Sequence, residues 1–209
     1  NKLDISKGMN QFNWNLLYPE AEKADGMILW NGTPSGITAP PGNYFARVKV
    51  GTDSADVPFT VVADPNYPIS QQDYDAQFAF LQQVQGKFNE VQKGVKDIRS
   101  TRTQINDFVA KQGKEVKQMA DSINKQLTAI EEKLHQTKAK SGQDVLNYPI
   151  RLNDKLGGVF DMANSGNMAP SKQSRDVYAE LAAQADVELA KLQTIMNQDI
   201  PKFNQLIWD

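Results

Sequence analysis

Asp64, Asp73 and Asp75, with Glu131-Glu132 further along, are the residues whose type and spacing could do chemistry in this chain. A glycosidase needs two carboxylates about 5–10 Å apart across a cleft, one of them in surroundings that raise its pKa. The competing reading is turn and cap chemistry for Asp64 and Asp73, and a solvated helix face for Glu131-Glu132. That reading is the expectation, so no catalytic residue is assigned. The chain has one histidine and no cysteine. There is therefore no thiol nucleophile, thiolate metal site or disulfide, and the redox compartment stays open. A Ser-His-Asp triad would have to use His135, and a multi-histidine zinc site cannot be built within the chain. His135 follows Leu134, the last apolar residue of a helical run, where a cation suits the C-terminal end of the dipole. It reads as a surface or capping residue. Phosphate loops, zinc spacings and nucleophile elbows are all missing, and no cofactor or metal is expected.

Trp14, Tyr18, Trp30 and Tyr44 make the other constellation. Aromatic rings with a polar handle can stack on sugars from the face of a small β-sandwich, so these four are the candidate ligand-binding residues for a glycan. Filling the interior of that sandwich is the plainer role. Asn31-Gly32-Thr33 fits a glycosylation sequon, but Asn-Gly is first of all a turn signal.

The elements that must position these groups change character near Asp64-Pro65. Seven of the ten prolines lie in residues 1–70. Phe12, Trp14 and Leu16 alternate with Asn13 and Asn15, as in a half-buried strand. Met27–Trp30 is a second short run. Tyr44–Val50 and Val57–Val62 read as a hairpin turning around Gly51-Thr52-Asp53-Ser54. Residues 1–65 are thus expected to be a β-sandwich, one that lacks upstream strands.

From Ser70 the apolar period becomes helical. Ser70 with Asp73 approximates a capping box, and Leu81, Val84, Phe88, Val91, Val95, Ile98, Arg102, Ile105 and Val109 follow at spacings of three and four. Unbroken to Lys111, this helix would be about 60 Å long, with Gln112-Gly113 ending it and Gly113 as a left-handed C-cap. Val116, Met119, Ile123, Leu127, Ile130 and Leu134 make a second helix. Pro149 opens a third through Leu152, Leu156, Val159 and Phe160, weakened by Gly157-Gly158. Pro170-Ser171 opens a fourth, which Pro201 should kink or end. Residues 66–209 are expected to form an antiparallel, up-down four-helix bundle, giving an α+β chain. Short links favour closure within one monomer.

Lys and Arg number 23 against 25 Asp and Glu, so no basic excess draws the chain to nucleic acid. No apolar run approaches the roughly 20 residues of a membrane span, and Asn1-Lys2-Leu3-Asp4 carries neither an initiator Met nor a signal-type apolar region. The chain reads as a processed or excised piece.

Three stretches together resemble a known family: Gly8-Met9-Asn10-Gln11-Phe12-Asn13-Trp14-Asn15-Leu16 with Tyr18-Pro19-Glu20-Ala21, then Gly26-Met27-Ile28-Leu29-Trp30, then Pro41-Gly42-Asn43-Tyr44 through Arg47-Val48 to Asp64-Pro65. They are similar to the C-terminal region of bacterial glycosyl-hydrolase-like proteins with BNR or sortilin-type (VPS10-like) β-propeller repeats. Ile98-Arg99-Ser100-Thr101-Arg102 and Tyr148-Pro149-Ile150-Arg151-Leu152-Asn153-Asp154-Lys155-Leu156 extend the likeness over nearly the whole chain. The resemblance implies an immunoglobulin-like sandwich with a helical tail, in a parent that is periplasmic, cell-surface or secreted. The propeller would carry the Asp-box motif and any catalytic residues, and neither lies here. The implied role is a non-catalytic accessory region whose partner is the upstream β-propeller or another protein.

Overall fold

The computed structural model describes residues 4–32, 34–109 and 113–208. Asn1–Leu3, Thr33 of the sequon, and the expected helix end at Lys111-Gln112 lie outside them. The elements are strands β1 (Gly42–Val50) and β2 (Asp53–Val61), then helices α1 (Gln71–Val109), α2 (Lys114–Leu134), α3 (Leu152–Asn164), α4 (Lys172–Thr194) and α5 (Ile200–Trp208). A 3-10 turn, Gly142–Leu146, precedes α3, and a π turn, Ile195–Asp199, joins α4 to α5.

The immunoglobulin-like sandwich is not there. The sheet is one antiparallel hairpin, β1 against β2, and Phe12–Leu16 and Met27–Trp30 are not strands. A period-2 run becomes a strand only where another strand takes up its backbone groups. Leu16 ends the first run by adopting a left-handed φ of 61°, and in the second Met27 N–H turns back to Ala24 O while Trp30 N–H goes to Asp154 of α3.

Residues 16–32 and 34–39 instead form a strap that doubles back on itself and lies on the helices. Tyr18 N–H donates to Ile37 O and Ala39 N–H to Leu16 O, both at 2.8 Å. The strap's outer amides go to helix side chains: Glu22 N–H to Asn89 Oδ1 (2.8 Å), Ala24 N–H to Gln92 Oε1 (3.3 Å), and Trp30 and Asn31 N–H to the two Asp154 carboxylate oxygens (2.9 and 2.8 Å). Ala21, Ala24 and Ile37 bury themselves in the same apolar core as the helices.

The seams of α1, α2 and α3 are buried as their spacing requires, with Val84, Phe88, Val91, Val95, Ile98, Leu127, Leu134 and Leu156 wholly enclosed. Their arrangement is not the expected antiparallel, up-down bundle of four columns. Arg99 meets Glu131 and Asn106 meets Asn124, so α2 runs antiparallel to α1. Gln83 pairs with Tyr178, Lys87 with Asp186 and Thr101 with Met196, so α4 runs parallel to α1. Helix α3 starts beside the end of α2, where Asn153 meets His135, and finishes where Gln77 near the start of α1 donates to Ala163 O (2.8 Å). Both shorter helices therefore lie end to end in one column. The bundle has three columns: α1, then α2 followed by α3, then α4 with α5. At about 1.5 Å per residue, α1 is about 58 Å long, and neither α2 nor α3 alone could cover its seam.

Three further expectations change. Gly113 has φ −67° and precedes α2 as its N-cap, with no left-handed C-cap role. Helix α3 begins at Leu152, so Pro149 stays outside it. Pro201 does not end the last helix but follows a distortion of it. The π turn just before it widens the helix, Ile200 N–H reaching back to Ile195 O, and this accommodates a ring that would strike an ordinary α-helical turn. Ser70 and Ser171 do cap α1 and α4: Asp73 N–H donates to Ser70 Oγ (3.2 Å) and Ser174 N–H to Ser171 Oγ (3.0 Å).

Candidate functional site

The hairpin carries exposed apolar side chains on both of its faces, Phe45 and Val50 among them. Its register pairs Val50 with Asp53, leaving Gly51-Thr52 as a two-residue turn. Gly51 has φ 61° and Thr52 does not have positive φ, which is the type II′ pattern with glycine at the first central position. From that register, Tyr44, Ala46, Val48 and Val50 share one face with Ala55, Val57, Phe59 and Val61. The opposite face carries Asn43, Phe45, Arg47 and Lys49 with Ser54, Asp56, Pro58 and Thr60. Arg47 grips Asp56 through two bonds, Nε and Nη2 to the two carboxylate oxygens, at 2.7 and 2.6 Å. That bond raises the guanidinium pKa and lowers the carboxyl's. Among the described residues no helix covers the apolar face: Val50 is 70% and Val57 59% exposed.

Only the base of that face is covered. Trp14 stands 5.8 Å from Tyr44 and 5.9 Å from Phe59, tilted to one and edge-on to the other, while Tyr44 and Phe59 stack across the strands. Trp14 Nε1–H donates to Leu17 O (3.0 Å) and Tyr44 Oη–H to Pro40 O (2.7 Å). Burial, and then the neighbouring Tyr18, raise the Tyr44 phenol pKa. Tyr18 packs its ring on Phe78 of α1 at 4.9 Å. Of the four aromatic candidates, three meet where hairpin, strap and α1 join; Trp30 lies apart, beside Gln136, Tyr148 and Asp154. The Trp14 and Tyr44 planes differ by 59°, so they offer no flat platform to a sugar ring.

A buried polar junction occupies the break between α2 and α3. Glu131, 4% exposed, accepts from Arg99 Nε (2.7 Å) and Arg102 Nη1 (2.9 Å). His135, 2% exposed, caps α2 by donating its backbone N–H to Glu131 O, and Asn153 Nδ2 lies 3.2 Å from its Nδ1. Asn153 Oδ1 in turn accepts Asp154 N–H at 2.8 Å. Burial, and then the Arg99 charge, hold the His135 imidazole below its ordinary pKa, with Glu131 opposing. This corrects two expectations: His135 is a cap but not a surface residue, and Glu131 is not on a solvated face. Both Glu131 oxygens are committed to guanidinium groups and both Asp154 oxygens to strap amides, so the junction ties elements together and has no carboxylate oxygen left over for a substrate.

The carboxylates near position 65 also have local work. Asp64 Oδ1 accepts from Asn66 N–H and Nδ2–H at 2.9 Å, Asp73 caps α1 with Ser70, and Asp75 accepts from Gln71 at 2.9 Å. Among the described residues no group of three metal-ligating side chains comes together, and no helix is long and apolar enough to cross a membrane. A cavity of about 760 Å³ is an open groove between α3 and α4 floored by Val159, Met162, Val177 and Leu181. Its one buried polar residue, Ser174, caps α4 with Ser171. Comparison with protein-family models, curated proteins and solved structures finds no match to this chain.

Sequence reasoning missed Arg99, Glu131, Asn153 and Asp154 as a group. One signal was present: Arg102 sits in an otherwise apolar seam, and a cation there requires an acid on the facing helix.

Proposed function

We propose that this chain is a non-catalytic interaction module, a helical bundle that holds out a β-hairpin for contact with another folded unit. One observation carries the reading: the apolar face of β1 and β2 stands in solvent beyond Trp14, although two strands alone are marginal in water and need a third strand or a packed layer. The polar side chains support it from the other side. Glu131, His135, Asp154, Asp64 and Asp73 are each engaged in caps, turns or inter-element bonds. In the family the sequence resembles, the contacted unit would be an upstream β-propeller in an exported parent; otherwise it is another protein.

The test is to assay the chain on chromogenic glycosides and polysaccharides and to screen it on a glycan array. No turnover and no glycan signal are expected. Turnover overturns the reading, and a glycan signal abolished by Trp14→Ala replaces it with sugar binding.

A further inference from the structure

The two outer edges of the hairpin differ, and the difference selects a partner. In a two-residue hairpin the closing pair is hydrogen-bonded and the pairs then alternate. Val50, Val48, Ala46 and Tyr44 therefore turn their backbone groups inward to β2, while Asn43, Phe45, Arg47 and Lys49 turn theirs outward. On β2 the outward positions are Ser54, Asp56, Pro58 and Thr60. Pro58 has no N–H to offer and interrupts that edge; β1 contains no proline and leaves an unbroken row of donors and acceptors.

We propose that the free edge of β1 accepts an acidic β-strand from a partner protein, completing the sheet by strand addition; this rests on the interaction-module reading above. The side chains opposite a new strand fix its chemistry. Residues facing Ala46, Val48 and Val50 must be apolar to extend the bare face. The residue facing Lys49 must be acidic, and the one facing Arg47 must not be a cation, because β1 carries two cations and no acid. Arg47 already spends its charge on Asp56, whereas Lys49 is in no ion pair among the described residues. A lysine on an open edge repels strands with a cation at that position and favours those with an acid. A second copy of this chain would bring its own Arg47 and Lys49 to that edge and fits less well.

The experiment measures backbone amide exchange by NMR on the full chain, alone and with the peptide Thr-Val-Glu-Val-Glu-Val-Thr or its counterpart Thr-Val-Lys-Val-Lys-Val-Thr. With the glutamate peptide, exchange at Phe45, Arg47 and Lys49 should slow about tenfold or more, and the lysine peptide should leave it unchanged. Arg47→Pro should abolish the protection. If that variant disorders the hairpin, Lys49→Glu, which leaves every backbone group in place, should weaken the glutamate peptide and strengthen the lysine one. Equal protection by both peptides, or none with either, overturns the proposal. So does slow exchange at those amides in the chain alone with a dimer's mass, which assigns the edge to a second copy. Shifts confined to Val48 and Val57 would overturn strand addition while leaving the interaction module standing, whereas turnover of a glycoside would overturn the module reading itself.

Discussion

Gly157 of α3 lies so close beneath Gly32 of the strap that a Cβ on Gly157 would stand 2.5 Å from the Gly32 carbonyl oxygen. Gly158 beside it would meet Asn31 Cβ at 3.0 Å. The glycine pair that weakens α3 as a helix is thus its docking surface, where the strap backbone crosses and hands the N–H groups of Trp30 and Asn31 to Asp154.

That contact sets the sign of two glycine substitutions. Gly157→Ala should destabilise the chain by about 1–3 kcal/mol through overpacking against an unyielding backbone. Gly86→Ala, in α1 with open space around it, should stabilise by about 0.5–1 kcal/mol through helix propensity alone. Urea denaturation of both variants measures the contrast, and equal effects would contradict the strap's seat.

Removing the charge from Glu131 leaves Arg99 and Arg102 pointed at each other without an acid between them. Glu131→Gln should cost about 2–3 kcal/mol, less than breaking a fully buried pair, because both guanidinium groups still reach solvent. Glu132→Gln, one position along on the exposed side of α2, should change stability by less than about 0.5 kcal/mol. Thermal unfolding of the two variants separates them.

His135 makes stability fall on the acid side. Its folded pKa is depressed, so as pH drops below about 6.5 the unfolded chain takes up a proton that the folded site refuses, and the folded state loses ground. Above that value both states are neutral there and the contribution is flat. Asp144, whose carboxyl is lowered by N–H bonds from Lys140 and Ser141, acts in a separate window below about pH 4. The melting temperature should therefore drop between about pH 7 and 5, and His135→Gln should flatten that limb. An unchanged limb in the variant would remove His135 as its source.

The long seams were legible because a three-and-four spacing demands burial on one side whatever the partner. Nothing local states which column covers which, so α2 and α3 read as separate arms when they share one. The β-region misled for a related reason. Phe12, Trp14 and Leu16 alternate like a strand, but alternation records only which side chains want cover, and here Trp14 covers the hairpin base without pairing. The hairpin itself was readable from its two runs and Gly51. The polar junction announced itself only through Arg102, since Asn153 and Asp154 become a binding surface when the strap arrives from more than a hundred residues away.

Substitutions on the bare hairpin face should spare the fold. Val48→Thr and Val57→Thr together should shift stability by less than about 0.5 kcal/mol, because neither side chain is buried in the free chain. Trp14→Ala should leave the bundle's melting unchanged and loosen the hairpin base. Circular dichroism melts of the variants check both, and a cooperative loss of several degrees would place the hairpin within the core.

The most direct measurement is residue-resolved hydrogen exchange on the free monomeric chain. The hairpin amides of Ala46, Val48, Val57 and Phe59 should exchange through local opening, orders of magnitude faster than those of Phe88, Val95 and Leu127 in the bundle. Protection of the hairpin equal to that of the bundle core would mean that its apolar face is already covered, and would contradict the account of this chain as a module awaiting a partner.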